Sequence, residues 1–234
     1  MELLDVLRTT GAVREYRVEP IADAVIHRVL DTARFAPSGG NRQSWRVVVV
    51  RDPDVRRQLR DHYLSGWYPY LAQASAGLVP YAPLTDEDAE RAAIANAGAV
   101  AKAAADGPGG FAEHLDEVPA LLVVFADLRL LAAVDKDAAR YTFAGGASVY
   151  PFAWSVLLAA RAEGLAGVIT TMPIRAEAAV KELLGAGDEL ALAAVIALGV
   201  PVRMPRRLTR QPVETFATVD RLDGPPLRAE GAAG

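Results

Sequence analysis

Arginine recurs where this sequence is least regular. Arg14 and Arg17 flank Tyr16 near the start, and Arg203, Arg206, Arg207 and Arg210 crowd a stretch punctuated by Pro201, Pro205 and Pro212. Far from both in sequence lies a polar turn, Pro37, Ser38, Gly39, Gly40 and Asn41, followed by Gln43 and the run "WRVVVV". A guanidinium fork suits phosphate, and small residues let backbone N–H groups approach one, so these are the ingredients of an anion site. Taken singly, each also reads as solvated charge or an ordinary turn. The three histidines, His27, His62 and His114, stand in no spacing that marks a metal site or a nucleophile–base pair. There is no GxSxG, no P-loop, and "AGGAS" lacks the dinucleotide-binding spacing. With no cysteine, thiolate nucleophiles, disulfides, iron–sulfur clusters and Cys-type zinc sites are excluded. What remains is anion chemistry without an acid–base pair and without a metal.

Composition agrees with a globular protein. A chain of 234 residues, 52% hydrophobic, has enough apolar material for one large core. The formal charge of −4 gives no general reason to bind nucleic acid or an anionic membrane, so any basic site must be local. The opening "MELLDVLRTTGAVREYR" lacks the order of a signal peptide, and the expected location is the cytoplasm. Residues 141–160 carry no charge and reach spanning length, but Pro151 and the early glycines make a central helix of a soluble fold the better reading.

The elements that must position these residues follow from periodicity. "ELLDVLRTT" and "ADAVIHRVLDTARF" have helical spacing, the second with Ala22, Val25, Ile26, Val29, Leu30 and Ala33 on one face. "WRVVVVRD" reads as a strand buried on both faces, and Asp52 with Pro53 opens the helix "DPDVRRQLRDHYL". The aromatic, proline-punctuated stretch from Tyr63 and the Ala-rich helix "TDEDAERAAIANAGAVAKAAA" read together as a mobile insertion or lid. Then come strand "PALLVVFAD", the uncharged helix, strand "AGVITT", helix "IRAEAAVKELLG" and strand "LALAAVIALGV". The final segment should run extended over a surface, with "GAAG" disordered. Helices alternating with strands point to an α/β or α+β sheet fold.

The segments "VREYRVEPI", "ARFAPSGGNRQSWRVVVVRDP", "GLAGVITTMPI" and "LGVP…RLTRQPVETF" resemble, in order and approximate spacing, the nitroreductase family of FMN-dependent oxidoreductases. The resemblance runs from residue 3 to about 217 and is weakest over 64–117; "TTMP" places it nearer the iodotyrosine-deiodinase-like branch. It implies an α+β fold with a central mixed sheet flanked by helices, a homodimer with a domain-swapped C-terminal arm, and FMN at the subunit interface. Residues 1–217 would form one FMN-binding domain, 64–117 a variable lid, and 218–234 a partly disordered tail.

The resemblance also implies roles. Arg14 would contact the polar edge of the flavin ring or its ribityl chain. Pro37, Ser38, Gly39 and Asn41 would form a cofactor loop, with Gly40 beside the substrate. Thr170 and Thr171 would face flavin N5, and Arg210, with Arg207, would bind phosphate. Many family members carry an arginine where this chain has Thr10, so the backbone N–H groups of Thr10, Gly11 and Ala12, together with Arg210 or with Arg206 and Arg207, would have to supply that phosphate contact. NADH or NADPH would reduce the flavin, and a small planar acceptor such as a nitroaromatic, quinone or enone would reoxidise it in a ping-pong cycle. Trp67, Tyr68, Tyr70 and Tyr81 could stack on that acceptor, or simply pack a loop. The acid–tyrosine–lysine set of the deiodinases is absent, so deiodination is not the reading. A flavin store or sensor without turnover, another flavin enzyme (a reductive dehalogenase or dehydrogenase) on the same scaffold, and a module using its basic tail on nucleic acid are the alternatives. Neither a membrane nor nucleic acid is an expected partner.

Overall fold

The computed structural model describes residues 2–139 and 142–229. The expected disorder of "GAAG" lies outside the described residues.

Apolar runs set the centre. Strand β2, Ala120–Asp127, is buried at all eight positions, and β4, Leu190–Gly199, is buried over most of its length. They pair with each other, with β1 (Trp45–Val50) outside β2 and β3 (Ala166–Thr170) outside β4. All three ladders are antiparallel, so the α+β class holds while the sheet formed by the described residues is not mixed. The strand β1, expected to be buried on both faces, is an edge strand: among the described residues β2 alone pairs it, and Val47, Val48 and Val49 are half-covered.

Alternation distributes β2 between two cores. Ala120, Leu122, Val124 and Ala126 face α2 (Asp23–Ala33) and α6 (Val149–Ala162); Leu121, Val123 and Phe125 face α3 (Pro53–Ser75) and α7 (Glu177–Leu184). In β4 the alternation slips by one residue, because Ala193 bulges between the partners of Val124 and Phe125. The carbonyl of Ala193 accepts a hydrogen bond from the Tyr150 hydroxyl at 3.2 Å. The "uncharged" helix is therefore not covered all round: Tyr150 and Trp154 on α6 remain exposed.

Three helical expectations changed. Helix α3 does not stop near Leu64 but continues through Pro69 to Ser75. The i−4 carbonyl that Pro69 leaves without a donor belongs to Ser65, an exposed position open to water. Its start is as read: the Asp52 carboxylate accepts from Asp54 and Val55 N–H with Pro53 at the first position, a cap worth about 1 kcal/mol. The Ala-rich helix divides into α4 (Glu87–Ile94) and α5 (Ala97–Ala105), where Asn96 turns its amide back to the Ala92 carbonyl. The helix read in "IRAEAAVKELLG" begins as a 3₁₀ turn, Met172–Ala176, before α7, which ends on left-handed Gly185. Among the described residues no helix is long and apolar enough to cross a membrane.

The N-terminus is sewn onto the far end of the sheet. After α1 (Leu3–Thr9), Val13 N–H donates to Gly167 O, Tyr16 bridges Pro201, and Arg17 N–H donates to Val200 O. Gly199 makes this possible, since a Cβ there would lie 2.5 Å from the Tyr16 ring.

Candidate functional site

Arg14 reaches its place because Val13 and Tyr16 are fixed on either side of it. Val13 is buried, the Tyr16 hydroxyl donates to Val13 O at 2.5 Å, and burial pushes the Tyr16 phenol well above its ordinary range. Arg14 itself is exposed. Its charge acts on Tyr16 and on Tyr63, a buried residue of α3 whose phenol lies close to the Thr170 side chain. Burial raises the Tyr63 phenol, and Thr170 and Arg14 oppose that rise. Arg14, Tyr63 and the end of β3 thus converge on one spot, with Thr171 exposed just beyond. Tyr63 was not singled out from the sequence; its i, i+4, i+7 spacing with Trp67 and Tyr70 was the available signal.

From Tyr63 an aromatic row follows α3. Tyr63 and Trp67 tilt at 6.0 Å, Trp67 stacks on Tyr70 at 5.1 Å, and Tyr70 approaches Tyr81 at 6.4 Å. Tyr81 lies under the Arg175 guanidinium and donates to Gly66 O. Tyr68 makes no ring contact in this row among the described residues and lies instead near Glu113, whose charge helps to raise its phenol after burial.

The arginine run meets α1. Leu208 packs against Gly11, where a Cβ would come within 2.8 Å of it, and Arg206, Arg207 and Arg210 line a cleft whose opposite wall is Asp5, Arg8 and Thr9. Arg161 on α6 donates to Thr9 Oγ1 at 3.0 Å. Thr10 is buried, and both its N–H and its hydroxyl return to Val6 O, which leaves Gly11 and Ala12 as the N–H groups of this turn with no acceptor among the described residues.

The polar loop is held elsewhere. Gly39 N–H donates to Ser148 Oγ and Gln43 N–H to Ser38 Oγ, each at 3.0 Å. Gly40, Asn41 and Gln43 take left-handed φ values of 60°, 52° and 49°. Pro37, Gly39, Gly40 and Asn41 are exposed. Among the described residues no hydrogen bond or ion pair joins this loop to Arg14, Tyr63, Thr170 or the arginine run. Between loop and α1 lies an apolar groove with Leu3, Phe35, Pro37 and Leu158 on its walls. Nor is any group of three or more His, Asp or Glu residues among those described placed to hold a metal ion.

The architecture is a four-stranded antiparallel sheet between two helical layers, with an arginine-lined cleft beside α1 and with Arg14, Tyr63 and Thr170 gathered at the end of β3. The chain belongs to the nitroreductase family, whose model matches residues 7–200. It is 31% identical to an NADH dehydrogenase of Thermus thermophilus, over 87% of this chain and 88% of that one. It is 30% identical to a 5,6-dimethylbenzimidazole synthase of Rhodobacter capsulatus, over 85% and 83%. The fold is shared with an oxidised iodotyrosine deiodinase bound to FMN and 3-iodo-L-tyrosine (TM-score 0.61, 22% identity, 91% of this chain and 96% of that one).

Proposed function

We propose that the protein is a homodimeric FMN-dependent NAD(P)H oxidoreductase acting on a small planar organic acceptor. The observation that carries this is the separation of the site into parts that do not meet within one chain. Arg14, Tyr63 and Thr170 form one part with the arginine cleft nearby, and the Ser38 loop forms the other. A second copy laid over the apolar groove would bring the loop of one subunit to the Arg14 cluster of the other and cover Leu3, Leu4, Phe35 and Trp154, all exposed here.

The residues present fit FMN. Arg14, exposed and without a carboxylate partner, suits the polar edge of the ring, and Thr170, beside Tyr63, suits N5. Gly11 and Ala12 N–H groups with Arg207 and Arg210 suit the phosphate. FMN, when bound, supplies the redox chemistry, taking electrons from NAD(P)H and passing them to the acceptor. The chain's own part is to hold positive charge at the ring's polar edge, place a hydrogen-bonding hydroxyl at the end of β3, and exclude water. Trp67 and Tyr70 would offer the acceptor a flat wall, and residues 64–117 would cover it as a lid. Tyr68, turned to Glu113, would not.

The test is the purified protein's colour and contents. It should be yellow, release FMN on denaturation, bleach with NADH or NADPH under anaerobic conditions, and recover colour with a quinone or nitroaromatic. Release of FAD, or no flavin after reconstitution, overturns the reading. Flavin that no nicotinamide bleaches would make it a store or sensor.

A further inference from the structure

Ten arginines of this protein pair with carboxylates among the described residues. Arg28 meets Glu163, Arg46 and Arg129 share Asp127, and Arg60 meets Asp116. The cleft between α1 and the arginine run is different. Arg8, Arg206, Arg207 and Arg210 all line it, all four are exposed, and among the described residues none has a carboxylate within 4.0 Å. Asp5 is the one acid on its wall. Like charges gathered this closely repel unless an anion sits among them. A single phosphomonoester carries about −1.5 to −2 at neutral pH, less than four guanidinium groups can take. Arg207 and Arg210, with the Gly11 and Ala12 N–H groups, account for the phosphate of FMN in the function proposed above. Arg8 and Arg206 are left over.

We infer that Arg8 and Arg206 bind a second phosphomonoester, the 2′-phosphate of the nicotinamide donor, and that the donor is therefore NADPH rather than NADH. This rests on the proposed function, in which the donor is the other phosphate-bearing molecule that must enter the site in every cycle. The 2′-phosphate is the group by which the two donors differ, and a guanidinium fork is the side chain whose geometry reads it.

The test uses the FMN-loaded dimer as purified. Calorimetric titration with adenosine 2′,5′-bisphosphate, 5′-AMP and inorganic phosphate should show the bisphosphate binding tighter than 5′-AMP by about tenfold to a hundredfold, the worth of one charge-assisted hydrogen bond. Arg8→Gln and Arg206→Gln should each cut that advantage, and the NADPH to NADH ratio of kcat/KM, by about tenfold or more, with FMN content and dimer mass unchanged. Equal binding of bisphosphate and 5′-AMP, or a donor ratio that survives both substitutions, overturns the inference. Inorganic phosphate binding as tightly as the bisphosphate makes the cleft a free-anion site, and loss of FMN or of the dimer in either variant gives the arginines to the cofactor or the interface; each overturns it as well. Protein that holds no FMN fails the proposed function instead, and the titration series on that protein still decides the adenosine site.

Discussion

Arg14 and Arg210 are asked to do different things, and two forms of the cofactor separate them. Arg210→Ala should weaken FMN binding by about one to two orders of magnitude, since a charge-assisted hydrogen bond is worth roughly 1.5–3 kcal/mol, while riboflavin, which has no phosphate, should bind almost as before. Arg14→Ala should weaken both flavins alike and slow reduction by the nicotinamide. Fluorescence titration with both ligands reads the difference; an Arg210→Ala protein that loses riboflavin as badly as FMN would show that the arginine supports the fold. Tyr63→Phe removes the phenol beside Thr170, and should slow flavin reduction more than it weakens flavin binding, measured by anaerobic stopped flow. Residue type marked Arg14, Ser38 and Arg210 as possible anion ligands, but their roles, and Thr170 altogether, came only through resemblance, because arginines and threonines of this kind carry no periodicity of their own. Tyr63 stayed hidden because its helix was read as stopping at Leu64, which cut it off from Trp67 and Tyr70. The sequence also made Thr10 look available, whereas hydrogen bonds to Val6 O occupy it, a local closure that residue type alone does not reveal.

At the scale of elements, close approach matters more than propensity. Gly199→Ala would drive a methyl group into the Tyr16 ring, with contacts of 2.5 to 2.8 Å to Cδ1, Cγ and Cβ. Because these atoms are near the backbone, the whole segment carrying Arg14 must shift. Denaturant unfolding should show a loss of about 1–3 kcal/mol, together with weaker binding of both flavins. Asp127, buried at the end of β2, is held by Arg129 and Arg46, and its carboxyl is pulled down to about 2. The folded state then takes up this proton less readily than the unfolded chain, whose carboxyl titrates near 3.9. The stabilisation is therefore full above about pH 4 and disappears as the pH falls through about 2. Asp127→Asn should lower the melting temperature at pH 7, and the gap from the parent should close over that window. The buried strands were legible because β4 is apolar throughout and β2 is apolar up to its last residue, Asp127. The place of β1 was not, since a run of valines looks the same at the edge of a sheet as in its centre. The break between α4 and α5 was hidden in alanines that favour helix on both sides of Asn96.

At the scale of the molecule, the apolar groove and the arm pose one question. Truncation after Pro201 should lower dimer mass in light scattering and flavin content together, because the removed segment is expected to serve both; a truncated chain that stays dimeric and fully loaded would refute the shared role. The resemblance implied a site at a subunit interface, but residue pattern alone did not say that the Ser38 loop and the Arg14 cluster lie apart within one chain, because only folding decides which surfaces face each other. The bridge between Tyr16 and Pro201 adds a matter of timing. The ribosome releases Tyr16 among the first residues and Pro201 nearly the whole chain later, and at about 5–20 residues per second that interval is on the order of ten seconds or more. Until β4 and Pro201 emerge, the segment bearing Arg14 has no sheet end to rest on. If Arg14 holds the flavin ring as proposed, the nascent chain has no place for it, and loading of the cofactor has to follow synthesis rather than accompany it.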